Sequence, residues 1–316
     1  MSELALIERI AARARRRPGT EIGIGDDAAL LSIGGTAVVT HDLLVEGVHF
    51  RRATTGARDL GHKALAVNLS DLAAMAAEPV AALVGLCLPP GVGDDAVDEI
   101  YAGAEALAAR HGVTVAGGDT TAGPALMLAV TAVGRAASGV APVLRSGARP
   151  GDVLCVTGAL GASAAGLLLL ERPALASAVT APVAERLRAA HLRPEPRLAA
   201  GRSLARAGAR AMLDLSDGLA LDGLRIARAS GVRAVVEPGA LPVAEGVAEV
   251  AAAAGEDPGR LAAAGGEDYE LLAALPPEAV EAARRAAPCP LTPVGRLEAG
   301  PPELAGVEPG GWQHDV

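Results

Sequence analysis

At 316 residues, with 51% apolar residues but only 1% aromatics, the chain is long enough for two ordinary domains with cores of Ala, Val and Leu, and too apolar to be disordered. Its net charge of −9, with no basic stripe interleaved with aromatics, argues against general nucleic-acid binding and admits a polyanionic substrate only in the company of cations. Cys87, Cys155 and Cys289 fit neither a zinc spacing nor a disulfide framework and read as core thiols; with no signal-peptide pattern and no apolar run that spans a bilayer, a soluble, cytoplasmic protein without membrane contact is expected.

In chain order, residues 3–16 predict an amphipathic helix with Leu4, Ile7 and Ala11 on one face, stopped by Pro18-Gly19. Gly23 to Leu31 comes next, where adjacent Asp26 and Asp27 among small residues suit either a hard cation or a plain Gly-Asp turn. A short strand over 36–40 is expected to deliver His41-Asp42 at its end, and the stretch to Phe50 carries Glu46 and His49. Residues 58–77 have helical spacing, with Asn68-Leu69-Ser70-Asp71 read as an interruption that caps a helix over 72–77. A buried strand over 80–88 and an amphipathic helix over 94–111 carrying Tyr101 come after it. A strand over 113–116 then opens into Gly117-Gly118-Asp119-Thr120-Thr121, and another covers 125–133.

Residues 138–150 read as a linker, which divides the chain into domains 1–137 and 149–316. The second half predicts a strand over 153–157, helices over 164–170, 182–190 and 196–207, and a strand from Ala211 that runs through Asp214-Leu215-Ser216-Asp217-Gly218 into a helix over 219–230. A strand over 234–236 and a helix over 244–254 precede Gly265-Gly266-Glu267-Asp268-Tyr269-Glu270 and a final α/β stretch. Leu69-Ser70-Asp71 and Leu215-Ser216-Asp217 echo one another, each placed before an Ala/Leu helix.

Asp26, Asp27, Asp42, Asp71, Asp119, Asp214 and Asp217 fall at the boundaries of strand-like runs. Any one of them is explained as a cap or turn, but converging carboxylates repel one another, and Mg²⁺ carrying nucleotide phosphates would remove that cost. There is no Walker motif and no protein-kinase motif set, and Lys63 is the single lysine among 28 basic residues. Phosphoryl transfer would therefore lean on metals and on backbone amides from Gly117-Gly118 and Gly265-Gly266. Arg145 reads either as a clamp on phosphate oxygens or as a linker arginine in a surface pair. His41, His49 and His62 lack zinc spacing, and no Gly-x-Ser-x-Gly elbow or Cys/His pair supports a covalent nucleophile. Tyr101 and Trp312 either stack on a heterocycle or, for Tyr101, fill the core.

Six ordered motifs resemble thiamine-monophosphate kinases: Gly25-Asp26-Asp27-Ala28-Ala29-Leu30, Asp42 through His49-Phe50, Lys63 through Met75, Gly117-Gly118-Asp119-Thr120-Thr121, Leu215-Ser216-Asp217-Gly218 and Gly266-Glu267-Asp268-Tyr269-Glu270-Leu271. The resemblance implies an α/β (α+β) fold of the aminoimidazole ribonucleotide synthetase superfamily, with two domains. The N-terminal domain would bind ATP and Mg²⁺ and lend strands to a barrel at a homodimer interface, and the C-terminal α/β domain would complete the nucleotide and substrate site in a cleft between them. The implied reaction is transfer of the ATP γ-phosphoryl group to thiamine monophosphate, giving thiamine diphosphate. Carried onto this sequence, Asp27, Thr40, Asp42, Asp71, Asp119, Asp214 and Asp217 would hold several Mg²⁺ ions, with His41 contributing through its backbone oxygen. Tyr101, Gly118, Asp119, Arg145 and Ser216 would meet ATP, and His49, Glu267 and Trp312 would touch thiamine monophosphate.

His41 stands where relatives often have Thr or Ser, and Gly310-Gly311-Trp312-Gln313-His314-Asp315 approximates the family's aromatic tail. Cys87 lies inside an apolar run and not near an N-terminal Gly-rich loop, unlike a selenophosphate synthetase, and His314-Asp315-Val316 offers no thiol for carbamoyl chemistry. Aminoimidazole ribonucleotide synthetase remains the competing enzyme. A catalytically silent sensor that binds the same two ligands is the competing class; a binder would need fewer carboxylates than this chain carries.

Overall fold

The computed structural model describes residues 9–24 and 29–312. The chain forms two compact units, one of residues 1–72 and 77–136, the other of residues 73–76 and 137–316. Within the first unit, helix α1 is described over 9–13, short of the expected end at 16, and its expected first turns lie outside the described residues. Strands β1 (Thr20–Ile22) and β2 (Leu30–Leu31) pair antiparallel. They are followed by β3 (Ala37–Val45), α2 (Ala57–Ala74), β4 (Ala77–Leu88), α3 (Asp94–His111), β5 (Thr114–Ala122) and β6 (Met127–Ala136).

The four longer strands make one sheet in the order β3-β6-β4-β5. Only β4 and β5 run parallel, because α3 carries the chain back across the sheet between them. The period of two sorts each strand: Val38 and Leu44 of β3 are buried with Val130, Leu128 and Val84, whereas Val39 and Leu43 are 60% and 41% exposed. Leu65 and Ala64 of α2 and Ile100, Tyr101 and Ala104 of α3 pack together with Val84, Leu128 and Val130. The two helices cross at Gly61 and Gly103, where a Cβ would come within 1.8 Å of the Ile100 carbonyl and 1.9 Å of the Arg58 carbonyl. Lys63 is carried into this interior and is 1% exposed.

Two expectations for this unit fail for the same reason. Helix α2 runs unbroken through 68–71, where Asn68 donates Nδ2–H to the Ala64 carbonyl inside the helix (3.0 Å) instead of capping a new one. Leu69, Leu72 and Ser70 are all buried, so packing overrides the local capping signal. Likewise β3 continues past residue 40 to Val45 and β5 includes Gly117 to Thr121, so Asp42 and Asp119 lie within strands, not at their ends.

The second unit is built on a six-stranded sheet of order β12-β9-β11-β7-β10-β8, comprising β7 (Val153–Thr157), β8 (Ala211–Asp214), β9 (Arg233–Val236), β10 (Leu271–Leu275), β11 (Leu291–Glu298) and β12 (Leu304–Ala305). Helices α4 (Ala162–Glu171), α5 (Ala181–Leu192), α6 (Leu198–Arg206), α7 (Leu219–Ser230), α8 (Val247–Ala254), α9 (Pro258–Ala264) and α10 (Val280–Ala286) accompany it. Every residue of β8 and β10 is buried, consistent with the apolar run of β10, the Ala-Met-Leu of β8 and a sheet covered on both faces. The core joins Leu154, Val156, Leu213, Ile226, Val236, Leu272 and Val294, and a smaller cluster of Leu169, Val183, Leu187, Val247 and Val250 forms among α4, α5 and α8. Of the three cysteines only Cys155 is a core thiol; Cys87 and Cys289 are half-buried.

Register places the site. β10 is antiparallel to both β7 and β8, pairing Leu272 with Val156 and Leu271 with Asp214. The chain leaving β7 at Thr157, leaving β8 at Asp214 and entering β10 at Leu271 therefore meets at one end of the sheet. Three polar loops are gathered there.

Candidate active site

In the first unit Thr40 and Asp42, two residues apart on β3, share its more enclosed face, and Asp71 reaches them from α2. Thr40 donates its hydroxyl to Asp71 Oδ2 at 2.5 Å. Burial, and secondarily the nearby Asp71 carboxylate, push the Asp42 carboxyl up to about 6. His41 points to the other face and pairs across the strands with Thr131 (Nδ1···Oγ1 2.8 Å). His49 lies in the turn after β3, where its Nδ1 accepts the Val45 N–H at 3.1 Å; in the neutral ring the proton then sits on Nε2, a donor suited to phosphate oxygen.

The remaining expected residues of this unit are not gathered at Asp42. Gly118 lies in the row of Asp42 but on β5, across β6 and β4, and its Cβ position is taken by the Val84 carbonyl at 1.9 Å. Asp119 is exposed and stands in the row of Leu43. Tyr101 is core: its ring is buried among the residues of α2 and the sheet, and burial pushes its hydroxyl up to about 12. Asp27, and with it the Gly25 to Ala28 part of the first motif, lies outside the described residues. Among the described residues no three His, Cys, Asp or Glu side chains form a ready-made metal cage.

In the second unit the gathered loops are tied backbone to backbone. Glu267 N–H donates to Ser216 O (2.8 Å), Tyr269 N–H to Leu215 O (3.0 Å) and Trp312 N–H to Asp217 O (3.1 Å). Asp214, Ser216, Asp217, Glu267 and Trp312 are thereby brought together, with Trp312 52% exposed. Asp217 donates its N–H to Asp222 Oδ2 (3.0 Å), and Arg225 bridges Asp217 and Asp222 at 2.5 Å each. Burial pushes the Asp222 carboxyl up to about 6 against the pull of Arg225.

The loop entering β10 is bent. Glu267 and Tyr269 have φ of 66° and 50°, a left-handed conformation that costs non-glycine residues and clusters at functional sites. Partners hold it in place. Asp268 accepts the Gly161 and Ser163 N–H groups at the start of α4 (2.7 and 3.1 Å), and burial pushes its carboxyl up to about 7. Glu270 accepts two hydrogen bonds from Arg197 (2.7 and 2.5 Å) and one from Thr157 (2.6 Å), whose oxygen accepts the Leu271 N–H. His191 contacts Glu267 Oε2 at 3.2 Å.

Residues 25–136 match the family described as AIR synthase related protein, N-terminal domain, and residues 149–304 its C-terminal domain. A thiamine-monophosphate kinase of Mycobacterium tuberculosis is 41% identical over 261 residues, 82% of this chain and 76% of that one. The structure of a thiamine-monophosphate kinase from Stenotrophomonas maltophilia superposes with a TM-score of 0.84 at 41% identity over 98% of both chains. AaThiL complexed with AMPPCP and TMP superposes with a TM-score of 0.80 at 32% identity, covering 99% of this chain and 96% of that one. The chain belongs to the thiamine-monophosphate kinase family.

For a member of that family, the second unit assembles five of the expected residues and leaves out Arg145. That residue is exposed beside the beginning of β8, where Met212 N–H donates to Leu144 O and Gly147 closes on the Arg210 carbonyl, away from Asp214. The Ser-Asp echo has no common context: Ser70-Asp71 lies inside α2, Ser216-Asp217 in the loop between β8 and α7. Sequence reading missed Thr157, Ser163, His191, Arg197, Asp222 and Arg225. The polar, proline-punctuated stretch from His191 to Arg197 and a buried aspartate in an otherwise Leu- and Ala-bearing helix were the available signals.

Proposed function

We propose that this chain transfers the γ-phosphoryl group of ATP to thiamine monophosphate, giving ADP and thiamine diphosphate. One observation carries the reading: the chain matches, along nearly its whole length, a family member held with AMPPCP, an ATP analogue, and TMP. An oxygen of the thiamine monophosphate phosphate attacks the γ-phosphorus in line and ADP leaves, so the protein contributes position and electrostatics and no phosphoenzyme forms.

The donors fit Mg²⁺. Thr40, Asp42 and Asp71 present only hard oxygens, and the burial and mutual repulsion that raise Asp42 are what a divalent cation relieves. In our reading Asp27, Thr40, Asp42, Asp71 and Asp119, with His41 through its backbone oxygen, and Asp214 and Asp217 of the second unit hold Mg²⁺. When bound, these ions neutralise phosphate charge and orient phosphate oxygens. Gly118, Asp119, Arg145 and Ser216 are assigned to ATP, together with Tyr101 if its helix yields the ring, and His49, Glu267 and Trp312 to thiamine monophosphate. Residues 1–137 are the ATP- and Mg²⁺-binding and dimerisation domain, and residues 149–316 the domain that completes the nucleotide and substrate site. The exposed sheet face carrying Val39 and Leu43 is the dimer surface, covered by a second copy. No helix among the described residues is long and apolar enough to cross a membrane, which suits a cytoplasmic enzyme.

A coupled assay of ADP release with ATP, Mg²⁺ and thiamine monophosphate, run beside formylglycinamidine ribonucleotide, tests the reading. Turnover with the thiamine ester alone supports it. Turnover only with the ribonucleotide, or a phosphorylated protein isolated after incubation with ATP alone, overturns it.

A further inference from the structure

Glu267 combines a left-handed backbone with a carboxylate that another side chain holds. Its φ of 66° is fixed from outside by its N–H bond to Ser216 O and by Asp268, whose carboxylate sits on the Gly161 and Ser163 N–H groups. Those bonds set the Cα–Cβ direction but leave the rotatable side-chain bonds open. His191, at the end of α5 and 6% exposed, closes them: its Nδ1 lies 3.2 Å from Glu267 Oε2 and 3.0 Å from Ser163 Oγ.

Ser, His and Glu in contact invite a hydrolytic reading, but the geometry excludes it. In a nucleophilic triad the serine and the carboxylate bond to opposite ring nitrogens. Here both face Nδ1. An ionised carboxylate only accepts, so Nδ1 carries the hydrogen, and Ser163 Oγ shares it as a second acceptor. Ser163 is itself 1% exposed in the first turn of α4, and the Cβ of His191 packs against Gly166 of the same helix. The imidazole is thus fixed by one helix and directs one oxygen of a carboxylate on a strained loop.

We propose that His191 is the positioning residue for Glu267, holding its carboxylate in the orientation that receives thiamine monophosphate. The inference rests on the assignment of Glu267 to substrate made above. It accounts for a buried histidine whose Nδ1 faces both Ser163 and Glu267. It also predicts that substrate binding, and not phosphoryl transfer, depends on it.

Steady-state kinetics of the full-length E267Q, H191L and H191N variants and of the H191L/E267Q double variant, each checked by thermal melting, test it. E267Q and H191L are expected to raise KM for thiamine monophosphate about tenfold, with KM for ATP within about twofold of the parent. H191N, whose amide N–H stands near the place of Nδ1–H, is expected to keep KM within about threefold. The double variant is expected to be no worse than E267Q, because both remove one arrangement. H191L with a parental KM, H191N as poor as H191L, or effects that multiply in the double variant overturns the proposal. If E267Q itself leaves KM unmoved, the assignment of Glu267 to substrate fails first, and the positioning role with it. Should H191L not fold, S163A carries the test: a raised KM for thiamine monophosphate at an unchanged melting temperature supports the role, and an unchanged KM overturns it.

Discussion

Asp42 sits on a regular strand and Asp71 on a regular helix, with Thr40 bonded to Asp71, and burial together with the nearby Asp71 carboxylate pushes the Asp42 carboxyl up to about 6. In the second unit Asp217, Glu267 and Glu270 sit on the loops at the end of the sheet and Asp222 in the first turn of α7, and each has a basic partner: Arg225 against Asp217 and Asp222, Arg197 against Glu270, the His191 imidazole against Glu267. The first arrangement stores repulsion on a rigid frame and gains from an incoming positive charge. The second spends its charges on fixing a bent loop, so its shape is set before any ligand arrives. Removing a carboxylate should accordingly have opposite stability consequences in the two places.

Asp42→Asn makes the sharpest case. Turnover should fall on the order of a hundredfold or more, while the melting temperature stays level or rises because a buried, repelled charge has been neutralised. A clear loss of stability would show that Asp42 is structurally satisfied and would dissolve the contrast. Arg197→Met is its counterpart: it strands Glu270, which is 4% exposed, without its bidentate partner, and should cost about 3 kcal/mol in urea unfolding. A loss well below 1 kcal/mol would mean that Thr157 alone suffices.

Asp268 belongs to the second group yet carries a raised carboxyl, which gives a pH test. Its folded-state value of about 7 exceeds the ordinary 3.8, so the folded chain holds the proton over that window and stability falls as pH rises through it. Relative to Asp268→Asn, the parent should lose up to about 1.4 kcal/mol per pH unit across that range and run parallel to the variant above it. Parallel curves throughout would assign the carboxylate's hydrogen bonds more weight than its burial. The smallest effect should come from Arg186→Ala, which breaks the exposed pair with Glu245 and is expected to change unfolding free energy by less than about 0.5 kcal/mol.

Much of the fold was legible where apolar period and stop signals agree. The helix over Asp94–His111, the strand over Val153–Thr157 and the helix over Leu219–Ser230 have the bounds read from sequence, each closed by Gly, Pro or a polar turn. Reading failed where local chemistry was overruled at a distance. Asn68 to Asp71 looked like a cap only because the packing that buries Leu69 and Leu72 is invisible in the local pattern. Asp42 and Asp119 looked like strand ends because a charged residue is rarely expected within a strand. The motifs exposed Ser216, Asp217 and Glu267, but their partners could not be seen: Arg197 reaches Glu270 across 73 residues of chain, and no short pattern encodes such a pair.

The burial of Lys63 has a practical consequence. It is the single lysine of the sequence and is 1% exposed inside the packing of α2. Apart from the α-amino group, the folded protein therefore offers amine-directed reagents almost nothing to react with. Crosslinkers and acylating labels that paint the surface of most proteins will leave this one blank. Any label found at Lys63 is a clock for the opening of α2, read one chemical event at a time.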